Sequence, residues 1–545
     1  MEKRLFLALL LTGVVLVVTP MLFPTRPAPT VPAPVGADSM SSTRQQPAAA
    51  TPAPVPAIRS AGSREEDDLA AVAAADTVRV KSADAELDFS TRGATPVAVR
   101  MPKFRSFAPS RRGETAVLED AGAPLLRYRI LVGGDTVDLG RASFSARAAS
   151  GTTRFESTAG VPRTTIEYQQ DSGYLSTVRV ATDIPGRAFL LVDLPGGFVS
   201  QEADTLDDIR HLAFAAKPIA RGAQAVTFAS LDPGERKLVP GPLSWAVAKS
   251  KYFVVGILSQ SDSTPFAELQ ATGGRRDSKL ATRGTGTVVV PLVDGRTQFE
   301  LYAGPQAWER MRALGREFET ANPYGGFMQP VVQPFATIVM RLMLWLKQVV
   351  QLDYGWVLVI FGLAIRILLW PLNQSAMRSS IRLQRIQPEL MAVQERYKSD
   401  RTKQQQELMR VYQEHGMSPF SALSGCLPAL IPMPVFFALF FVFQNTIEFR
   451  GVPFLWLSDI SLRDPLYILP ILTGASMFLL SWIGMRNMPK NPQATMMLYM
   501  MPGMFTLFLL STASGLSIYY LVQQIAAIPQ QWMIANERRK AQAKP

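Results

Sequence analysis

Hydrophobic and polar residues are spaced differently in successive stretches of this chain, and each spacing predicts a different kind of element. Lys3-Arg4 precede an uncharged apolar run from Leu5 to Phe23. These nineteen residues cover roughly 28 Å as a helix, close to the ~30 Å hydrocarbon core of a bilayer. A cleaved signal peptide shares the basic start and apolar stretch, but this run is longer than a signal core and no small-x-small site follows it. It reads as an uncleaved anchor over 1–23 with its N-terminus inside. From Pro24 to about Ala75 the pattern collapses, with nine prolines between Pro24 and Pro56 and Ala, Thr and Ser around them. Such a stretch cannot bury enough apolar surface to fold, so 24–75 is predicted to be an extended or disordered linker.

From about Asp76 the period becomes two. Short alternating runs recur, among them Thr77–Val80, Leu126–Leu131, Thr164–Tyr168, Phe253–Leu258 and Thr287–Leu292, separated by Gly, Pro or Asp clusters. Many short strands with turn signals between them predict an extracytoplasmic antiparallel β-sandwich over 76–326. Trp308–Thr320 then reads as helical. This region has no phosphate loop, metal-ligand spacing or nucleophile motif, and an isolated His211 reads as structural.

Beyond it the period is that of a helix. Val332, Phe335, Ile338, Leu342, Trp345, Leu346 and Val349 recur at helical spacing, broken by Arg341 and Lys347. Residues 327–352 are read as an amphipathic helix lying in the outer interface of a membrane, with a linker helix packed on the β domain as the alternative.

Continuous apolar runs follow at Trp356–Leu372, Leu427–Phe443, Leu466–Met485, about Thr495–Leu510 and Leu516–Ile534. With the first run they make six spans, and the chain reads as a polytopic α-helical membrane protein. Pro428, Pro432 and Pro434 break the third span, which is tolerated where other helices or water satisfy the freed carbonyls. Basic residues orient the spans. Residues 374–420 hold eight Arg/Lys against five Asp/Glu, and the tail 535–545 carries Arg538, Arg539, Lys540 and Lys544 against Glu537. On the opposite side, 445–465 holds two basic and three acidic residues. Both termini are thereby placed in the cytoplasm and 24–352 in the periplasm. Residues 375–416, rich in helix formers and interrupted near Lys398-Ser399-Asp400, read as a charged cytoplasmic helical hairpin within a 353–534 core.

The net charge of +12 is concentrated in these loops and the tail, which suits anionic headgroups or RNA better than a dedicated nucleic-acid domain. A single cysteine, Cys426, excludes an internal disulfide. His211 and His415 both lie outside the spans, so the sequence offers no His-based membrane protease and no intramembrane proton relay.

One residue breaks the apolar pattern. Arg366 lies inside the second span, and no Asp, Glu, His or Lys stands within another span to pair with it. A charge at bilayer depth costs from about 3 to well over 10 kcal/mol, so such a residue points to a watered cavity or a partner bringing the counter-charge. Snorkelling is the alternative, because Leu372 lies roughly 9 Å further along the helix. On the last span Ser517, Tyr520 and Gln524 fall on one helical face with Gln523 adjacent, Ser514 adds a polar group at the outer turn, and Asn373 can share the stripe of Arg366. These residues are the candidate groove; polar glue between helices is the competing reading. Met433, Phe436, Phe437 and Met504 supply soft apolar surface, either as bundle packing or as a slide for varied apolar partners.

Several motifs now stand in order: Arg366 followed by Trp370-Pro371-Leu372, the charged loop, Gly425–Phe436, Asp464–Pro470 and Ser514–Tyr520. Together they resemble the YidC membrane-protein insertases over about Tyr354 to the C-terminus, and the anchor with its large outer β domain resembles the Gram-negative form. The resemblance implies a five-helix insertase core with a hydrophilic groove open to cytoplasm and lipid. It also implies that Arg366 is the groove arginine and that Tyr520 contacts the entering segment. Pro432 stands where the family typically has Gln, and Gly362 where a polar residue is common. The implied role is an inner-membrane insertase and chaperone, not an enzyme, working without a cofactor. The implied partners are nascent membrane proteins, the Sec translocon, membrane lipids and, through the charged loop and basic tail, the ribosome. An anion or solute transporter using Arg366 is the competing class; it predicts internal repeats or paired broken helices, and neither is visible. A membrane enzyme would need a general base near Ser511, Ser514 or Ser517, and the spans hold none.

Overall fold

The computed structural model describes residues 76–322, 329–371, 389–415, 433–485 and 492–542, together with 374 and 386 and apart from a few positions inside those ranges. The expected anchor 1–23, the linker 24–75, Asn373, Cys426 and much of the 375–416 segment lie outside the described residues.

Period-two patterning produces strands that pair only antiparallel. Thr77–Lys81, Glu86–Ser90, Thr95–Arg105 and Thr115–Glu119 form a four-stranded sheet, and fourteen further strands between Arg127 and Pro305 form a second. The inward positions of both sheets meet in one core, where Phe89, Val99 and Leu118 pack with Tyr128, Phe155, Tyr168 and Phe299. Polar tips in that core find partners, as burial requires. The Tyr128 and Tyr168 hydroxyls lie 2.9 Å apart, and Tyr168 donates to the Ala94 carbonyl across the layers. The predicted antiparallel sandwich is therefore present.

Helix α1 (Thr205–Arg210) interrupts the strands, and α2 (Trp308–Ala313) follows them. The helical reading of Trp308–Thr320 is only half right. Gly315, Arg316 and Glu317 adopt positive φ in succession and end the helix. The break lets Phe318 turn into the core, with its ring edge-on to Trp245 and Tyr302 at 5.7 and 5.5 Å.

Helix α3 (Gln329–Val350) meets α4 (Tyr354–Leu368) at 115°. Its apolar residues divide between two faces. Val332, Ala336, Val339, Met340 and Met343 are buried against protein, whereas Phe335, Ile338, Trp345 and Val349 are exposed. The predicted stripe runs across both: Phe335, Ile338, Trp345 and Val349 are exposed, Leu342 and Leu346 are partly buried, and Val332 is buried. Helix α5 (Arg401–Glu414) begins at Asp400, whose carboxylate accepts the Thr402 and Lys403 N–H groups. It packs Leu408, Val411 and Tyr412 on Ile386, Leu390 and Val393, the described part of the hairpin. Then come α6 (Met433–Asn445), α7 (Ile468–Met485), α8 (Pro492–Leu509) and α9 (Ser514–Gln542). The last continues into the basic tail, of which 535–542 is helix. Among the described residues α7 alone is long and apolar enough to cross a membrane by itself; α3 and α4 pass only as a bent pair, and the apolar parts of α6 and α8 are shorter.

The β domain and the helices meet at 445–451. Arg450 lies nearly fully buried, its Nε 2.8 and 3.0 Å from the two Glu202 carboxylate oxygens, while Nη1 and Nη2 donate to the Arg105 and Gln201 carbonyls. The guanidinium also lies over the Phe107 ring at 4.4 Å. Beside it Gly451 has φ +74°, and a Cβ there would come 2.7 Å from the Phe107 ring. Asn322 donates to the Asn445 carbonyl and accepts from buried Lys249. Glu448 accepts the Trp308 N–H at 2.8 Å. Burial pushes the Glu448 carboxyl up to about 7, and pushes Glu202 up to about 7 against the opposing pull of Arg450.

Candidate functional site

The site is built on the contact between α4 and α9. Helix α4 is apolar along its length, and Gly362 lets α9 approach, since a Cβ there would come within 3.1 Å of Val522. The unhindered Gly362 carbonyl accepts a hydrogen bond from the Gln523 amide at 2.8 Å, and that amide also reaches the Tyr519 hydroxyl at 3.3 Å. One turn along α4, Arg366 is half-buried and donates from Nη2 to the Gln530 Oε1 at 2.6 Å. Its Nε is buried with no hydrogen-bond partner among the described residues. No carboxylate among the described residues lies at ion-pair distance from Arg366.

The structure divides the residues proposed for the groove. Gln523 faces Arg366's helix. Tyr520 turns toward α6 and α8, its ring 5.2 Å from Phe436 and 4.9 Å from Phe505. Ser517 is fully buried, its hydroxyl unpartnered among the described residues, and Gln524 is half-buried. Ser514 sits at the start of α9, where its N–H donates to the Leu462 carbonyl and its hydroxyl to the Ile460 carbonyl. The neighbouring Gly515 leaves room for Phe443. The Ser514-Gly515 pair thus docks the start of α9. Asp464, part of another motif, caps α7 by accepting the Leu466 and Leu469 N–H groups and the Trp456 indole.

Sequence reasoning missed Tyr519 and Gln530. At about 100° per residue, Tyr519, Gln523 and Gln530 fall within an arc of about 40° on α9, so the signal was legible at spacings of four and seven. The stripe chosen instead, Ser517–Tyr520–Gln524, is the adjacent face. Of the apolar set, Phe436 is interior, packed on Phe437, Phe505 and Phe508, whereas Met504 is exposed alongside Met501 and Leu507. Phe437 is partly buried, and the Met433 side chain lies outside the described residues.

The model of the YidC periplasmic domain matches residues 77–338, and that of the 60Kd inner membrane protein matches residues 345–542. Between them they account for both the sandwich and the helices. This chain belongs to the YidC family. Membrane protein insertase YidC of Anaeromyxobacter sp. (strain Fw109-5) is 33% identical over 323 residues, covering 58% of this chain and 56% of that one. Its counterpart in Ectopseudomonas mendocina (strain ymp) is 33% identical over 309 residues, covering 55% and 50%. The chain thus spans about half the length of the curated YidC relatives it matches. A crystal structure of an active YidC insertase with its first transmembrane domain resolved aligns at 18% identity with a TM-score of 0.34, covering 83% of this chain and 92% of that one.

Proposed function

We propose that the protein is a membrane protein insertase of the inner membrane, which inserts newly made membrane proteins and helps them fold, alone or beside the Sec translocon. Arg366 carries this reading: a guanidinium on an apolar helix, held by a neutral amide, with its buried Nε–H unpartnered among the described residues. Such an arrangement is costly in lipid unless something anionic visits it.

In this mechanism a hydrophilic groove formed by Arg366, Asn373, Ser514, Ser517, Tyr520, Gln523 and Gln524 shortens the barrier that a client's polar terminus must cross. Arg366 attracts an acidic group on that terminus. The client's apolar helix slides past Met433, Phe436, Phe437 and Met504 into lipid. Burial of the client's own apolar surface, at ~25 cal/mol per Å², drives the step without nucleotide hydrolysis. Six spans with a five-helix core, both termini cytoplasmic and 24–352 periplasmic, give the groove its orientation. The charged hairpin and basic tail face the cytoplasm, where they would meet ribosomal RNA.

The test is insertion of a ribosome-bound single-span client into vesicles holding the full chain, with a photocrosslinker at Tyr520 and a control at Ala475 on α7. The reading predicts protease-protected client and crosslinks at Tyr520 that weaken for acidic clients in Arg366→Ala. A folded protein giving neither insertion nor crosslink, yet passing small anions, would replace it with the transporter.

A further inference from the structure

The neutral partner of Arg366 is informative in itself. Three arginines of the β domain show how this molecule holds a carboxylate. Arg129 donates from Nε and Nη2 to the two oxygens of Asp193, Arg79 does the same to Asp88, and Arg127 to Asp138. The Nε/Nη2 edge of a guanidinium is a two-pronged donor matched to a carboxylate. In Arg366 the same edge is half used. Nη2 is on the Gln530 amide oxygen, and Nε is buried and open. An amide offers one acceptor oxygen and no charge, so it fills one prong and leaves the cation uncompensated. Gln530 is only 4% exposed, so it is fixed there by packing rather than sampling the contact from solvent.

Resting on the insertase reading, we propose that Gln530 is a placeholder for Arg366. It holds the guanidinium on α9 in the empty state and yields it to a client carboxylate, which takes both prongs. A resident carboxylate in its place would compete with acidic clients, whereas an apolar residue would release Arg366 to them. Gln530 therefore sets how strongly the protein prefers acidic over neutral translocated segments.

The experiment measures insertion of two single-span clients by vesicles holding the full chain. The clients differ only in two Asp residues of the translocated terminus, replaced by Asn in the second, and the readout is the ratio of acidic to neutral insertion. Gln530→Glu should lower that ratio about tenfold or more, the scale of hydrogen bonds to a charged group. Gln530→Leu should raise it. A ratio equal to wild type in both variants, or equal loss of both clients, makes Gln530 merely structural and overturns the proposal. If Gln530→Glu fails to fold, Gln530→Leu decides alone: a raised ratio upholds the proposal and an unchanged or lowered one overturns it. If the wild-type chain inserts neither client, the insertase reading itself fails and the placeholder role falls with it.

Discussion

Replacing Arg450 with Met removes the guanidinium that holds the β domain to the helices but keeps most of its length. Wild-type Arg450 sits 2.8 Å from a Glu202 oxygen, with side-chain exposures of 3% and 8%, and caps two carbonyls. Breaking a buried pair by removing one partner costs about 3–5 kcal/mol, because the remaining charge is stranded. Glu202, however, can escape by taking up a proton. Burial already places its carboxyl at about 7 with Arg450 present, and without Arg450 the value must rise further. Its folded-state value lies above the ordinary carboxylate value. The folded form therefore binds more protons, and stability is lost as pH rises through about 7. In the variant at pH 6 the stranded charge is absent, leaving the two carbonyls and the lost ring contact, about 1–3 kcal/mol together. At pH 8 the wild-type pair is ionised, whereas the variant must keep Glu202 protonated or strand its charge; this adds up to about 1.4 kcal/mol per pH unit above 7 and brings the cost toward the full range. Hydrogen exchange of amides in 447–460 at both pH values, corrected for intrinsic rates, reads the local opening free energy. A loss below about 1 kcal/mol at pH 8, or the same loss at pH 6 and 8, would refute this reasoning.

Three further outcomes follow from the same geometry. Glu448 has no cationic partner among the described residues and is held at about 7 by burial, so wild-type thermal stability should fall as pH rises through neutrality; Glu448→Gln should flatten that slope between pH 6 and 8.5 in a calorimetric scan. Gly362→Val would drive a side chain into Val522 and Tyr519 and should cost about 1–3 kcal/mol, measured by unfolding in detergent, with the Gln523 bond lost as α9 retreats. Phe436→Ala empties the centre of an aromatic cluster and should cost about 3–5 kcal/mol, whereas exposed Met504→Ala should stay within about 0.5 kcal/mol and alter client crosslinking instead.

The local features of this protein were legible in the chain. Alternation at Arg127–Val132 predicts a strand because successive side chains point to opposite faces, and Phe253–Ser259 is a short apolar run between turn residues that is buried throughout. Apolar runs dictate helices, and Arg366 declares itself because an isolated cation in such a run has no local explanation. The helix break after Ala313 was missed, because three left-handed residues are stabilised by burying Phe318 against Trp245, a partner far away in sequence. Only the tertiary structure decided which polar stripe of α9 faces Arg366, since helical spacing fixes which residues share a face but not where that face points. It alone paired Arg450 with Glu202, 248 residues apart, and gave α3 two apolar faces with different neighbours. Periodicity records the geometry of one element; the choice of partner is a property of packing, where burial and charge are settled between elements.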